Sequence, residues 1–300
     1  MNRREFLKSA AVAGTVLTVP SAAALLAGRL EAAVRPDLCV VRGKTPAASV
    51  QAALDALGGI RRFVARGDIV VVKPNIGWDR LPEYAATTNP ELVAAVVRLC
   101  VDAGAKKVKV FDYPVSDARR TYRQSGIADA AAAAGAEVSF TDNRKFQEMK
   151  IGGETLKAWP IYTEAVEADK LINIPIAKVH GTSRLTLGMK NLMGVMGGSR
   201  GRIHQRIDES LVDLAAFVKP SLVIIDAVRI LTANGPQGGD LADVKRLDTI
   251  VVGVDQVAVD ACGAMLFGLK PADLGCVRLG QQAGLGTANL EKLNIRKIDL

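Results

Sequence analysis

The sequence predicts an α/β protein in three layers, with a mostly parallel sheet between helices on both of its faces. Short runs rich in valine and isoleucine alternate with longer segments of helical periodicity, which is the pattern of successive βαβ units. Several runs are apolar at every position, as expected of strands buried on both faces of a parallel sheet. A hydrophobic content of 49% is sufficient for a large core.

The predicted strands are bounded by glycine, proline or polar residues. They span residues 68–72, 107–111, 136–140, 170–176, 221–225 and 249–254. The segment 143–159 is predicted to be a local hairpin or a loop excursion, and residues 178–206 are predicted to be glycine-rich and irregular.

The predicted helices follow the strands at the spacing of a doubly covered sheet. They span residues 46–57, 90–103, 121–134, 208–218, 256–266 and 272–283. Asn89 followed by Pro90 is a typical helix start, because asparagine accepts a hydrogen bond from a free backbone N–H and proline suits the first helical position.

Residues 1–33 are predicted to be a twin-arginine signal peptide, and residues 34–300 a single α/β domain. Arg3 and Arg4 precede an alanine-rich apolar stretch that ends in small residues suited to cleavage. Pro20 and interspersed polar residues make this stretch a poor membrane anchor, which needs about 20 apolar residues. We therefore expect a periplasmic or other extracytoplasmic protein, exported by the twin-arginine translocase, with no stable membrane span after cleavage.

The formal net charge of +8 favours anionic partners. Aromatic residues make up only 4% of the chain, and no helix carries the basic stripe that a nucleic-acid groove requires. We expect a small anionic ligand and no nucleic acid.

The cysteines and histidines are too few and too scattered for a cysteine-bound metal centre. Zinc and iron–sulfur sites need clustered ligands, whereas the chain has two histidines and no C-x-x-C pair. A cysteine-ligated iron–sulfur cluster is therefore not expected, and buried thiols are predicted for Cys39, Cys100, Cys262 and Cys276. A hard divalent metal on oxygen ligands stays open, with candidates at Asp226, Asp255 and Asp260.

The candidate site lies where the apolar runs end, because ligands of open parallel sheets bind beyond the carboxyl ends of the strands. Lys178 and His180 point to the same side of an extended chain, so a cation and an imidazole would face one volume. Lys190, beside Asn191, interrupts an apolar series and therefore needs a partner or an anionic ligand. Ionisable groups expected at one edge of the sheet are Lys73, Asp112, Lys178, His180, Asp226 and Asp255.

Two glycine-containing loops are candidates for covering that edge. The segment 197–202 offers flexible backbone and the guanidinium groups of Arg200 and Arg202, which suits anion binding and equally suits a mobile surface loop. The turn-rich segment 234–239 begins with Asn234 and has the composition of an ordinary turn, but its place above the same edge also makes it a candidate lid.

These motifs resemble those of the domain of unknown function 362 family over nearly all of residues 34–300. The matching segments are residues 67–75, 178–180, 186–194, 225–226, 234–236 and 253–260. The resemblance implies motif positions at Lys73, Asn75, Lys178, His180, Lys190, Asn191, Asp226, Asn234 and Asp260. Some members are labelled iron–sulfur proteins because of added cysteine-rich modules, which are absent from this sequence.

Two functions are compatible with these features, and the sequence identifies no cofactor. The first is an envelope enzyme, redox or cofactor-assisted, acting on an anionic small molecule with His180, Lys178 and Lys190 as catalytic residues. Its ligand-binding residues would be Lys73, Asn75, Asn191, Asp226, Asn234, Arg200 and Arg202. The alternative is a non-catalytic binding protein for an anionic ligand or a metal complex.

Replacing Arg3 and Arg4 together by lysine is expected to leave the precursor in the cytoplasm, because the arginine pair defines the export signal. Cell fractionation and mass analysis of the mature N-terminus measure this, and the wild-type protein should lack its first 30-odd residues. Undiminished export of the double variant would contradict the signal.

Overall fold

The computed structural model describes residues 35–300, so the predicted signal peptide lies outside the described residues. The strands are β1 (Leu38–Arg42), β2 (Ile69–Pro74), β3 (Lys107–Val110), β4 (Glu137–Val138), β5 (Phe146–Lys150), β6 (Ala158–Tyr162), β7 (Lys170–Ile174), β8 (Ile176–His180), β9 (Arg184–Thr186), β10 (Leu222–Leu231), β11 (Val244–Gly253) and β12 (Ile295–Asp299).

The α-helices within these residues are α1 (Pro46–Ala56), α2 (Pro90–Asp102), α3 (Ala118–Gln124), α4 (Ile127–Ala133), α5 (Thr163–Glu167), α6 (Gly188–Asn191), α7 (Ile207–Val218), α8 (Gln256–Met265) and α9 (Gly275–Gln282). The Asn89 side chain accepts a hydrogen bond from Glu91 N at the start of α2, as predicted. None of the helices within residues 35–300 has the length and apolar character that crossing a bilayer demands.

A ten-stranded sheet organises the chain in the order β12-β1-β11-β10-β7-β2-β3-β4, with β8 joined to β10 and β9 joined to β8. Strands β10, β7, β2, β3 and β4 are parallel to their neighbours in that series. Strand β11 runs antiparallel to both β1 and β10. The predicted mostly parallel sheet is confirmed.

Both faces of the sheet are covered, which confirms the predicted three layers. Successive residues of a strand point to opposite faces, and Val70 and Val72 accordingly belong to one core cluster while Val71 belongs to the other. Helices α1, α2 and α4 pack on the first face, and α6 to α9 pack on the second.

Several predicted elements are divided in the structure. The predicted strand 170–176 is split into β7 and β8 by Pro175, which lacks the N–H needed to continue a ladder. The predicted helix 121–134 is split at Gly126, whose φ of 67° is left-handed. The predicted hairpin is present as β5 and β6, whereas the edge strand β12 and its neighbour β1 were not predicted.

Two acidic residues do not lie at strand ends on the expected edge. Asp226 is inside β10, which continues to Leu231, although its register partner Ile176 lies just past the end of β7. Asp255 follows β11, and because β11 is reversed, Asp255 lies at the opposite edge of the sheet from the residues that follow β2 and β3. The expectation that the ionisable residues following the apolar runs all lie at one edge is therefore wrong for Asp255.

Asp260 fixes the start of α6 and is expected to be important for stability. Its two carboxylate oxygens accept hydrogen bonds from Gly188 N at 2.6 Å and Met189 N at 2.9 Å. In Asp260→Asn an amide N–H₂ group would face one of these N–H donors, so the free energy of unfolding should fall by about 1–3 kcal/mol.

Chemical denaturation at pH 8 measures this loss, because burial raises the pKa of Asp260 to about 7 and the carboxylate is ionised above that pH. The exposed Asp129 of α4 provides the matched control. Asp129→Asn should change stability by no more than about 0.5 kcal/mol. Equal stability of the two variants would show that other contacts hold α6.

Candidate functional site

A cleft of about 520 Å³ opens beyond the carboxyl ends of β2 and β3, between them and β8. Its ionisable and amide lining includes Asn75, Asp112, Lys178, His180, Lys190 and Arg200. The cleft therefore brings together residues that the sequence places in five separate segments. This location is the one that an open parallel sheet offers a ligand.

A buried ion pair forms the base of the cleft. Lys73 Nζ lies 2.8 Å from Asp112 Oδ1, and neither side chain is more than 3% exposed. Burial lowers the pKa of Lys73, and Asp112 opposes that shift. The second oxygen of Asp112 accepts a hydrogen bond from Ile76 N at 2.7 Å. Lys73 thus supports Asp112 from behind the cleft, which differs from its expected role as a ligand contact.

Gly194 packs directly against this ion pair. A Cβ atom there would lie 1.8 Å from Asp112 Oδ1 and 2.6 Å from Lys73 Nζ, so only glycine fits. The Gly194 carbonyl also accepts a hydrogen bond from Tyr113 N at 3.0 Å. The glycine that ends the segment 186–194 therefore seats this segment on the ends of β2 and β3.

A chain of amide side chains leads from the core to Lys178. Asn173 Nδ2 donates to Gly188 O, and Asn191 Nδ2 donates to Asn173 Oδ1, both at 2.8 Å. Asn75 Nδ2 donates to Asn191 Oδ1 at 2.9 Å. Because each amide is oriented by the one before it, Asn75 Oδ1 is left as the acceptor for Lys178 Nζ at 3.3 Å.

Lys178 is a buried lysine that has no carboxylate partner among residues 35–300. Its side chain is 1% exposed, and Nζ donates to Asn75 Oδ1 and to Ala86 O. Burial, with the charge of Lys190 second, lowers the pKa of Lys178 to about 7, and Asp112 acts in the opposite direction. The Lys178 amine can therefore hold or release a proton near neutral pH.

Lys190 and Arg200 add two more cationic groups to the same lining. Lys190 Nζ contacts Met193 Sδ at 2.9 Å, and burial together with the Arg200 charge lowers the pKa of Lys190 to about 8. The Arg200 guanidinium donates to Tyr113 O at 2.7 Å and lies over the Tyr113 ring at 4.5 Å. Neither residue forms an ion pair with a carboxylate among residues 35–300.

His180 and His204 stack in the cleft, with ring centroids 5.8 Å apart and planes inclined by 10°. His180 Nδ1 accepts a hydrogen bond from Thr182 N at 3.2 Å, so the hydrogen of the neutral ring is on Nε2. His204 Nδ1 lies 2.9 Å from Gly201 O, which places its hydrogen on Nδ1. Burial, with the charge of Lys190 second, lowers the pKa of His180 to about 3.

His204 was not among the predicted site residues. The sequence offered one indication of its role, because both histidines of the chain fall within the glycine-rich segment 178–206. Asp112, expected from the sequence at this edge of the sheet, also lines the cleft.

Other predicted site residues lie away from the cleft lining. Asp226 is fully buried and accepts hydrogen bonds from Asn89 N at 2.6 Å and Val228 N at 3.1 Å. Asn234 donates to Asp243 Oδ2 at 2.8 Å on the surface, and Arg202 is exposed. From the loop 234–239, the predicted lid, Pro236 lines the cleft.

The described residues do not form a recognisable metal centre. Asp255 caps α8 by accepting from Ala258 N at 2.9 Å, and the oxygens of Asp226 and Asp260 likewise accept from backbone N–H groups. Among residues 35–300 no three His, Cys, Asp or Glu side chains form a group able to hold a metal ion. The four cysteines are buried free thiols, as predicted from the sequence.

A second cavity of about 620 Å³ lies on the other side of β8. It is lined by Val179, Leu266 and Phe267 together with the cationic side chains of Arg184 and Lys245. His180 lines both this cavity and the cleft. Strand β8 is therefore a wall shared by two cavities.

The fold and its motifs define a known class of α/β proteins. The chain belongs to the family described as domain of unknown function, DUF362, whose model matches residues 70–265. A thylakoid-associated protein of Synechocystis sp. is 30% identical over 259 residues, which cover 81% of this chain and 77% of that protein.

Two solved structures show a more distant likeness. The lactate racemase apoprotein from Thermoanaerobacterium thermosaccharolyticum has a TM-score of 0.48 at 14% identity, covering 76% of this chain and 57% of that one. A protein from Thermotoga maritima has a TM-score of 0.37 at 11% identity, covering 80% and 60%. The chain thus spans less than two thirds of either structure.

Gly194→Ala is expected to destabilise the protein by about 3–5 kcal/mol, because the added methyl group would separate the buried Lys73–Asp112 pair. Thermal and chemical unfolding measure the loss. Gly201→Ala is the matched control, since a Cβ at Gly201 meets no atom within 4 Å. A Gly194→Ala protein as stable as the control would show that the ion pair can move aside at little cost.

Proposed function

We propose that the protein is an enzyme acting on a small anionic molecule bound in the cleft. The observation that supports this most directly is the convergence of Lys178, Lys190 and Arg200 on one cavity. Placing three cationic groups together without carboxylate partners is costly, and an anionic ligand offsets that cost. The Asp112 carboxylate does not neutralise them, because it is already paired with Lys73.

Two groups of the cleft support an enzyme over a purely binding protein. Lys178, with a pKa of about 7, can hold or release a proton at neutral pH, and such groups are typical of active sites. Neutral His180 carries its hydrogen on Nε2 and can donate it to a ligand oxygen. The sequence-based alternative, a non-catalytic binding protein, would need the cations but no group titrating near pH 7.

We propose further that this enzyme works outside the cytoplasm after export by the twin-arginine pathway. The proposal rests on Arg3, Arg4 and the small residues that follow the apolar stretch. That pathway carries folded proteins, often loaded with a cofactor, which is the reason for proposing a redox or cofactor-assisted reaction. Absorbance and elemental analysis of the precursor purified from the cytoplasm of its host would show whether a coloured cofactor or a stoichiometric metal is bound before export.

The anion site can be tested with oxalate, a small dianion, by titration calorimetry. Lys190→Met removes a charge from the cleft and should weaken oxalate binding by about tenfold or more, which is about 1.4 kcal/mol. His180→Gln should weaken it less, because it removes a neutral hydrogen-bond donor. The exposed Lys44, outside the lining, provides a control with the same charge change in Lys44→Met.

Oxalate affinity should also fall as the pH rises through about 7 and 8. Lys178 and Lys190 lose their charges at these pH values, whereas Arg200 keeps its own. The charged groups acting on Lys178 are Lys190, Asp112 and Lys73. Unchanged affinity in Lys190→Met, with a thermal midpoint near wild type, would exclude the cleft as the anion site. A much lower thermal midpoint of Lys190→Met, with unchanged oxalate affinity in the protein that remains folded, would show that Lys190 has a structural role.

A further inference from the structure

We propose that Lys178 is a nucleophile that forms an imine with the carbonyl carbon of a 2-oxo acid. This inference rests on the proposed anion site and names the class of substrate that the site would take. It is carried by the hydrogen-bond partners of Lys178 Nζ and by the cationic groups around it.

The hydrogen-bond partners of Nζ accommodate a neutral amine. An ammonium group has three N–H donors, whereas a neutral amine has two and a lone pair. Among residues 35–300, Lys178 Nζ donates to two acceptors, Asn75 Oδ1 and Ala86 O. These two acceptors suffice for both N–H groups of a neutral amine, and its lone pair is then available to a ligand in the cleft that Lys178 lines.

The surroundings of Lys178 favour that neutral form. Its acceptors, an amide oxygen and a backbone carbonyl oxygen, carry no negative charge that would hold a proton on Nζ. The carboxylate of Asp112 forms an ion pair with Lys73 instead. The pKa of about 7 is lowered by burial and by the charge of Lys190. A desolvated lysine next to a second cationic group is one of the recognised ways to activate an amine for attack on a carbonyl.

The same cations select the substrate. A 2-oxo acid has a carboxylate next to its reactive carbonyl, so a cation beside the amine attracts the carboxylate and brings the carbonyl carbon to Nζ. Lys190 and Arg200 provide the cationic charge. His180, as a neutral donor, can polarise the carbonyl oxygen.

The chemical step needs no additional reactant. Nζ attacks the carbonyl carbon, a C–N bond forms, and the carbonyl oxygen takes a proton to give a carbinolamine. The C–O bond then breaks, and the oxygen leaves as water with the two hydrogens that the amine loses. The product is an imine between Lys178 and the 2-oxo acid, with no change in oxidation state.

Asn75 is a positioning residue for this amine. Its Oδ1 is turned toward Lys178 because Nδ2 is held by Asn191 Oδ1 at 2.9 Å. Asn75→Asp would put a carboxylate beside Nζ, which raises the pKa of Lys178 and keeps it charged at neutral pH. Imine formation in that variant should fall at pH 7 and recover at higher pH, a shift that a merely structural role would not produce.

Borohydride reduction of full-length protein with pyruvate, 2-oxoglutarate or glyoxylate tests the proposal. We expect a reduced adduct that peptide mass mapping places on Lys178. Lys178→Met should abolish it, and Lys44→Met should retain it in full. If Lys178→Met fails to fold, the displaced pH profile of Asn75→Asp provides the same test.

Parallel oxalate titration separates this inference from the proposed function, because oxalate has no carbonyl carbon that forms an imine here. Oxalate binding without an adduct on Lys178 from any of the three 2-oxo acids would overturn the imine and leave the anion site standing. An adduct spread evenly over surface lysines would do the same. Loss of both oxalate binding and trapping would overturn the proposed function as well.

Discussion

The buried pair of Lys73 and Asp112 is the interaction on which the rest of the site depends. Both charges are removed from water, so the loss of either would leave the other unpaired in the interior at a cost of several kcal/mol. Asp112 also binds Ile76 N, and Gly194 packs on the same atoms. The ends of β2 and β3 and the segment after α6 are therefore joined at one point. Because Asp112 is paired with Lys73, the cleft cations have no carboxylate ion-pair partner within the described part of the chain.

The sequence was sufficient for the layers of the fold but not for strand direction. β-branched runs and Asn89 mark elements whose cause is local, and these agree with the structure. The reversal of β11, which moves Asp255 to the far edge, depends on pairing with β1 and β10 and has no local signal. The breaks at Pro175 and Gly126 have local causes. The sequence analysis nevertheless predicted one continuous strand and one continuous helix there, because it followed the apolar periodicity.

For the site, the sequence identified ionisable residues that lie at the end of an apolar run or within one. Lys178 and His180 stood out because they follow an apolar run, and Lys190 stood out because it interrupts one. All three line the cleft. Which carboxylates would be free could not be predicted, because the partners of Asp226 and Asp112 come from other parts of the chain. His204 was missed for the same reason, since only the folded chain brings it to His180.

Strand β8 contributes side chains to the linings of two separate cavities. Lys178 faces the cleft, Val179 faces the second cavity, and His180 borders both. A ligand that shifted this strand on binding in one cavity would change the affinity of the other cavity, and such a linkage is equal in both directions. The break at Pro175, which frees β8 from the line of β7, thus gives the protein a short element through which two binding events can be coupled.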